Sequence, residues 1–241
     1  MTAPIVLLHG WGLTPEVWAP LQSRLVQRLD SDAVTAPALF ANEGSLDDWA
    51  ARLLAEIPPG AVLIGWSLGA MLAMAIAARA PRHVSRLVLF AATPSFVKRD
   101  DWPHGLDAET TTAFRQNFLK DPVRTVERFI ALQALGDVER VAVSKALRAN
   151  IAATDTHGAA LAHGLRLLEQ SDLRGALPAV STRCLLIHGE QDALMPVAAT
   201  QWLAHRWSGG ETFIMPGVGH AAFLSQPAEV AARIEQFIHA S

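Results

Sequence analysis

Apolar and polar positions alternate between two rhythms along this chain. Ile5-Val6-Leu7-Leu8 is apolar at every position, the pattern of a strand covered on both faces. From Pro15 to Leu29 the apolar residues Val17, Trp18, Leu21, Leu25 and Leu29 fall near a 3.6-residue period, which predicts a helix. Residues 32–36 carry a weak strand signal. Ser45 opens a helix to about Ile57, because its side chain can cap the first turn and Asp47 and Asp48 favour the positive end. Pro58-Pro59-Gly60 ends it. Ala61-Val62-Leu63-Ile64 predicts a strand, Leu68 to Ala80 an apolar, Ala-rich helix stopped by Pro81, and Val84 to Ala91 another strand.

Then the rhythm changes. From Thr93 to about Leu177 no buried strand is visible, and the text is helical and rich in charge. After Pro178 the alternation resumes, with strands at Arg183–His188 and Glu211–Met215 and helices at Val197–Trp207 and Pro227–His239. Short strands alternating with helices predict an α/β fold with a mostly parallel sheet flanked by helices. Residues 1–93 and 178–241 are expected to form that core, and residues 94–177 a helical cap, or lid, inserted into it.

Length and composition narrow the picture further. The chain of 241 residues suits one α/β domain with an insertion better than two independent domains. A net charge of −3 gives no global argument for a nucleic acid or a membrane surface as partner. Cys184 is the single cysteine, so no internal disulfide can form, and the apolar run around it predicts a buried strand residue rather than a nucleophile. The first apolar run is too short for a signal-peptide core, and no stretch approaches the ~20 apolar residues of a membrane helix. A soluble, cytoplasmic protein is expected, with a single chain as the working unit.

Chemistry enters at Gly65-Trp66-Ser67-Leu68-Gly69, a G-x-S-x-G segment between a predicted strand and a predicted helix. Reversing from strand to helix in so few residues forces a tight turn at Ser67, and glycines two residues either side leave room for it. The blander reading is a β–α turn whose serine merely caps the helix. A serine hydroxyl is a weak nucleophile and needs a base. Asp192 and His220 each follow a late predicted strand, in the order acid then histidine that this arrangement requires. His220 would take and return the Ser67 proton, and Asp192 would orient it; Glu190 is the rival acid. His9 and His188 also stand at strand ends and read as structural. The first strand runs into His9-Gly10-Trp11-Gly12, so the amides of Trp11 and Leu68 are the expected oxyanion donors. Trp11 and Trp66 would then wall the pocket. No metal-ligand cluster or phosphate-binding glycine loop is visible, and no cofactor is expected.

Together these stations resemble the α/β-hydrolase superfamily over nearly the whole chain. Several details are more similar to one of its families, the pimeloyl-acyl carrier protein methyl ester esterases of biotin synthesis. They are His9-Gly10-Trp11-Gly12-Leu13 with Glu16-Val17-Trp18, the Ser67 pentapeptide, Pro94-Ser95-Phe96, Asp100-Asp101-Trp102-Pro103, and Arg128-Phe129-Ile130-Ala131-Leu132-Gln133. The sequence departs from that family at Gly69-Ala70, where Gly-Gly is usual. The resemblance implies a substrate acyl ester presented by acyl carrier protein, touched by Trp11, Ser67, Leu68, Phe129, Ile130, Ala131, Leu132, Gln133 and His220. The stretch from Arg115 to Arg148 holds seven Lys or Arg against four acids. Arg124, Arg128, Arg140 and Lys145 are therefore candidate contacts for an acidic carrier, against the plainer reading of a solvated helix face. A general short-chain carboxylesterase, a lactonase or a carbon–carbon-bond hydrolase would use the same three residues. A hydrolase-fold binding protein without turnover would normally lack one of them.

Overall fold

Strands β1 (Ile5–Leu8), β3 (Ala61–Trp66) and β5 (Cys184–Gly189) are buried at every position. Successive side chains of a strand point to opposite faces, so burial without alternation means that both faces are covered. With β2 (Val34–Thr35), β4 (Val84–Phe90) and β6 (Gly210–Met215) they form a parallel sheet in the order β2-β1-β3-β4-β5-β6. The computed structural model describes residues 3–29, 33–177, 181–207 and 210–240. The expected domain edge at Pro178 and the start of the weak strand at Asp32 lie outside the described residues.

The helices follow from local sequence. Pro15–Trp18 is a 3-10 turn and α1 runs Ala19–Leu29, so the single helix expected over 15–29 is divided. Pro20 explains the division: it has no N–H to donate to Glu16, and its ring crowds that carbonyl. Instead Ala19 N–H bonds to Glu16 in the tighter 3-10 register. α2 (Leu46–Glu56) begins with a full capping box, the Ser45 side chain accepting from Asp48 N–H and the Asp48 side chain from Ser45 N–H. α3 (Leu68–Arg79) is buried continuously from Leu68 to Ala77, which identifies it as a core helix rather than a surface one. Each large apolar side chain buried there contributes about 1.5–3 kcal/mol.

Between β4 and β5 the chain leaves the sheet, and the described residues there form four α-helices: α4 (Ala108–Lys120), α5 (Pro122–Gln133), α6 (Arg140–Ala149) and α7 (Thr154–Gln170). Its stem is pinned by the Asp100–Pro103 segment. Trp102 is wholly buried, donates from its indole N–H to the Ser95 carbonyl at 2.9 Å, and meets Trp202 edge-on. Arg174 pairs with both Asp101 and Asp172 beside it. α8 (Val197–Arg206), the short α9 (Ala222–Ser225) and α10 (Pro227–His239) complete the chain, and α10 packs on α1. Among the described residues no helix is long and apolar enough to cross a membrane.

Because the paired strands run parallel, their carboxyl ends lie along one edge of the sheet. Strand order reverses between β2 and β3, which opens a crevice outside the ends of β1 and β3. The loops after β1, β3, β5 and β6 carry Trp11, Ser67, Asp192 and His220 respectively.

Candidate active site

Ser67 sits between β3 and α3 with φ 56° and ψ −115°, a left-handed conformation unusual for any residue with a Cβ. The turn is tight enough to exclude side chains on both flanks. A Cβ on Gly65 would lie 2.5 Å from the Gly69 carbonyl oxygen, and one on Gly69 would lie 2.0 Å from that of Leu8. The Ser67 side chain makes no capping hydrogen bond to α3, so the plain reading of a helix-capping serine does not describe it. Its hydroxyl stands instead at the positive end of α3.

His220 donates from Nδ1 to Asp192 Oδ2 at 2.7 Å, and both side chains are fully buried. Glu190, the rival acid, is exposed. Asp192 is fixed from its other oxygen as well, which accepts the amides of Leu194 at 2.8 Å and Met195 at 2.9 Å. Burial alone would raise the Asp192 pKa. The adjacent imidazoles of His220 and His188 and these hydrogen bonds outweigh it, holding the carboxyl below its ordinary range. His220 Nε2 is buried and has no hydrogen-bond partner among the described residues. Such a vacancy is unusual for a buried polar atom and leaves this nitrogen free to accept a proton. The Trp66 indole N–H holds the His220 carbonyl at 2.9 Å. Trp66 is completely buried against Trp18, Phe223 and His220, so it braces the histidine and does not wall an open pocket.

The two other strand-end histidines have structural bonds. His9 donates from Nδ1 to the Gly10 carbonyl at 2.9 Å and accepts the Leu39 amide on Nε2 at 3.0 Å. Burial pushes its pKa down to about 4 against the smaller opposing effect of the Gly10 hydrogen bond, so it is neutral. His188 accepts from Thr200 Oγ at 2.7 Å and donates to the Met195 carbonyl at 2.9 Å. Its Nε2 lies 3.4 Å from Asp192 Oδ2, a contact with the candidate acid that the sequence did not announce.

Neither the Trp11 nor the Leu68 amide donates a hydrogen bond among the described residues. Trp11 is 3% exposed, and its indole N–H donates to the Leu161 carbonyl of α7 at 2.8 Å. Its ring meets Phe114, Phe118 and Phe129 edge-on, joining the loop after β1 to α4 and α5. Beyond these rings lies an apolar cavity with about 500 Å³ of empty space, counting its open mouth. Phe96, Leu106, Phe114, Phe129, Leu165, Leu168 and Leu194 line it, and Thr110, Thr111 and Glu169 also border it, but its exposed surface is almost wholly apolar. Triad candidates do not line it, but Phe129 touches Trp11 and Leu194 bonds to Asp192.

The segment Phe129–Gln133 is helical, so it cannot aim five successive side chains at one site. Phe129 and Leu132 reach the cavity, Ile130 is wholly buried, and Ala131 is exposed. Gln133 is buried, and its backbone carbonyl accepts the His220 amide at 3.2 Å. Arg124, Arg128, Arg140 and Lys145 are all exposed on α5 and α6, apart from the buried set. Asp137 was not singled out by sequence: it reads as a turn residue after Gly136, yet bonds to Gly219 across 82 positions. Among the described residues no group of three or more His, Cys, Asp or Glu could hold a metal ion. Cys184 is fully buried in β5, and burial pushes its thiol pKa well up, leaving it an unreactive core residue.

Known proteins match this chain over nearly its full length. The chain is 45% identical to the pimeloyl-acyl carrier protein methyl ester esterase of Aromatoleum aromaticum, covering 97% of each. It is 36% identical to the enzyme of the same name from Nitrosomonas europaea, covering 97% of this chain and 92% of that one. Among solved structures, an esterase from Exiguobacterium antarcticum superposes with a TM-score of 0.84 at 19% identity, covering 99% of this chain and 92% of that one, which speaks to fold alone. The profile of the alpha/beta hydrolase family matches residues 5–233, and the chain belongs to that family.

Proposed function

We propose that the chain is a serine carboxylesterase that hydrolyses the methyl ester of a pimeloyl chain borne on acyl carrier protein. The observation that carries the chemistry is the buried Asp192–His220 hydrogen bond with His220 Nε2 left open, on a loop tied to Trp66, the residue before a serine held on a strained strand-to-helix turn. In this reading His220 Nε2 takes the Ser67 proton as Oγ attacks the ester carbonyl. The tetrahedral oxyanion is held by the Trp11 and Leu68 amides, each worth about 3 kcal/mol of transition-state stabilisation. Collapse breaks the C–O bond to the alcohol, and His220 returns the proton so that methanol leaves. Water, deprotonated by the same nitrogen, then cleaves the acyl-enzyme and regenerates Ser67.

The carrier-bound substrate is supported by the names of the relatives and by the surface of residues 94–177, read here as the cap. Lys120, Arg124, Arg128, Arg140, Lys145 and Arg148 are exposed and take part in none of the ion pairs of the described residues. Between them stand exposed apolar side chains, Val123 at 57% and Val141 at 84% among them. Unpaired cations interleaved with apolar contacts suit an acidic partner. Both oxyanion amides and all three triad candidates come from one chain, so in this reading a monomer suffices as the working unit, and the carrier-linked substrate named for the relatives sets its work in the cytoplasm.

Ser67→Ala is expected to lower hydrolysis of a short p-nitrophenyl ester by on the order of 10⁴-fold or more. Unchanged turnover would sink the reading. Rescue of an esterase-deficient biotin auxotroph by the parent, and not by Ser67→Ala, tests the substrate rather than the chemistry.

A further inference from the structure

The loop that carries His220 is bonded to the corner between α5 and α6 rather than standing free on the end of β6. Asp137 lies on that corner and is 5% exposed. Its Oδ2 accepts the amide of Gly219, the residue before His220, at 2.7 Å. Its Oδ1 accepts the Ser225 hydroxyl at 2.8 Å and the Glu139 amide at 2.7 Å. Two backbone bonds flank this carboxylate, from the His220 amide to the Gln133 carbonyl at 3.2 Å and from the Val138 amide to the Gly217 carbonyl at 2.9 Å. A Cβ on Gly219 would lie 3.1 Å from the Gln133 carbonyl oxygen and 3.3 Å from Asp137 Cβ, so the two segments are in close contact.

Asp137 enters none of the ion pairs of the described residues. Burying a carboxylate without a cation costs free energy, and closing the Glu139 turn alone would need only Asn or Ser. The charge is accounted for by what it holds: hydrogen bonds to an ionised acceptor are roughly twice as strong as neutral ones. We propose that Asp137 is a positioning residue for His220, its carboxylate clamping the Gly219–His220 peptide so that Nε2 keeps its aim. The α5–α6 corner is then the fixed seat of the base, and any opening of the cap takes place elsewhere. This inference rests on the esterase reading above.

Asp137→Ala is expected to lower kcat on a p-nitrophenyl ester by about 10- to 100-fold, with KM held within about threefold, because a base displaced by about 1 Å loses rate rather than binding. Asp137→Asn should fall between, since an amide oxygen still accepts but the amide nitrogen cannot. Phosphonylation of Ser67 by a fluorophosphonate, which needs the same base, should slow by the same factor. Ser225→Ala removes one donor without touching the loop and should keep kcat within about twofold. The clamp is overturned if kcat per titrated active site stays within twofold of the parent, or if KM rises in proportion to the loss. Should Asp137→Ala fail to fold, Asp137→Asn decides alone. Ser67→Ala measured alongside separates the two claims: an inactive Ser67→Ala with a fully active Asp137→Asn overturns the clamp only, and an active Ser67→Ala overturns the esterase reading.

Discussion

A left-handed serine costs about 1–3 kcal/mol of backbone strain, and such strain persists only where its surroundings over-determine it. At Ser67 they do, through Gly65 and Gly69 packed against α3 and β1 at distances no side chain could occupy. His9, which holds Leu39 beside the same strand end, makes a residue-scale prediction about pH. Its pKa falls from 6.5 to about 4 on folding, so its contribution is complete above pH 6.5 and is lost as pH drops toward 4. The loss amounts to about 3 kcal/mol across that window. His9→Gln should flatten this part of the curve of unfolding free energy against pH, measured in urea. A curve as steep as the parent's would assign the acid sensitivity to other groups. At this scale the placing of the candidates Ser67, Asp192 and His220 just beyond strand ends was legible, because each follows its own strand within a few residues. Asp137 was not, because its partner Gly219 is brought to it only by the packing of α6 near α9.

Elements were legible in proportion to how much of their cause is local. The apolar runs of β1, β3 and β5 mark strands buried on both faces, and no folded context was needed to see them. The capping box of α2 is equally local, and it predicts that Ser45→Ala lowers stability by about 1 kcal/mol while leaving ester hydrolysis unchanged. Chemical denaturation with activity measured in parallel checks this; a loss under 0.3 kcal/mol would show that the box is frayed in solution. Local periodicity also misled. It ran one helix through Pro20, whose missing N–H divides the segment in two. In α5 the motif Phe129–Gln133 was legible as a unit, but its division among cavity, core, solvent and the His220 loop follows from helical geometry and neighbours in α4 and α7.

Charge is distributed on the scale of the whole molecule. The net charge of −3 conceals seven basic residues against four acids between Arg115 and Arg148. If that face steers an acidic carrier, raising ionic strength from about 0.05 to 0.5 M should reduce kcat/KM for carrier-bound ester by about tenfold, and for a small neutral ester by less than twofold. Charge reversal at Arg124 and Arg128 should reproduce this selectivity, and equal losses on both substrates would reject the steering. The sheet order has a separate consequence for the timing of synthesis. Ser67 leaves the ribosome early, but His220 follows β6, and α1 must wait for α10 before its apolar face is covered. In the esterase reading, a nascent chain stalled before residue 220 therefore holds Ser67 without its base, and turnover waits until β6 and the loop after it have emerged.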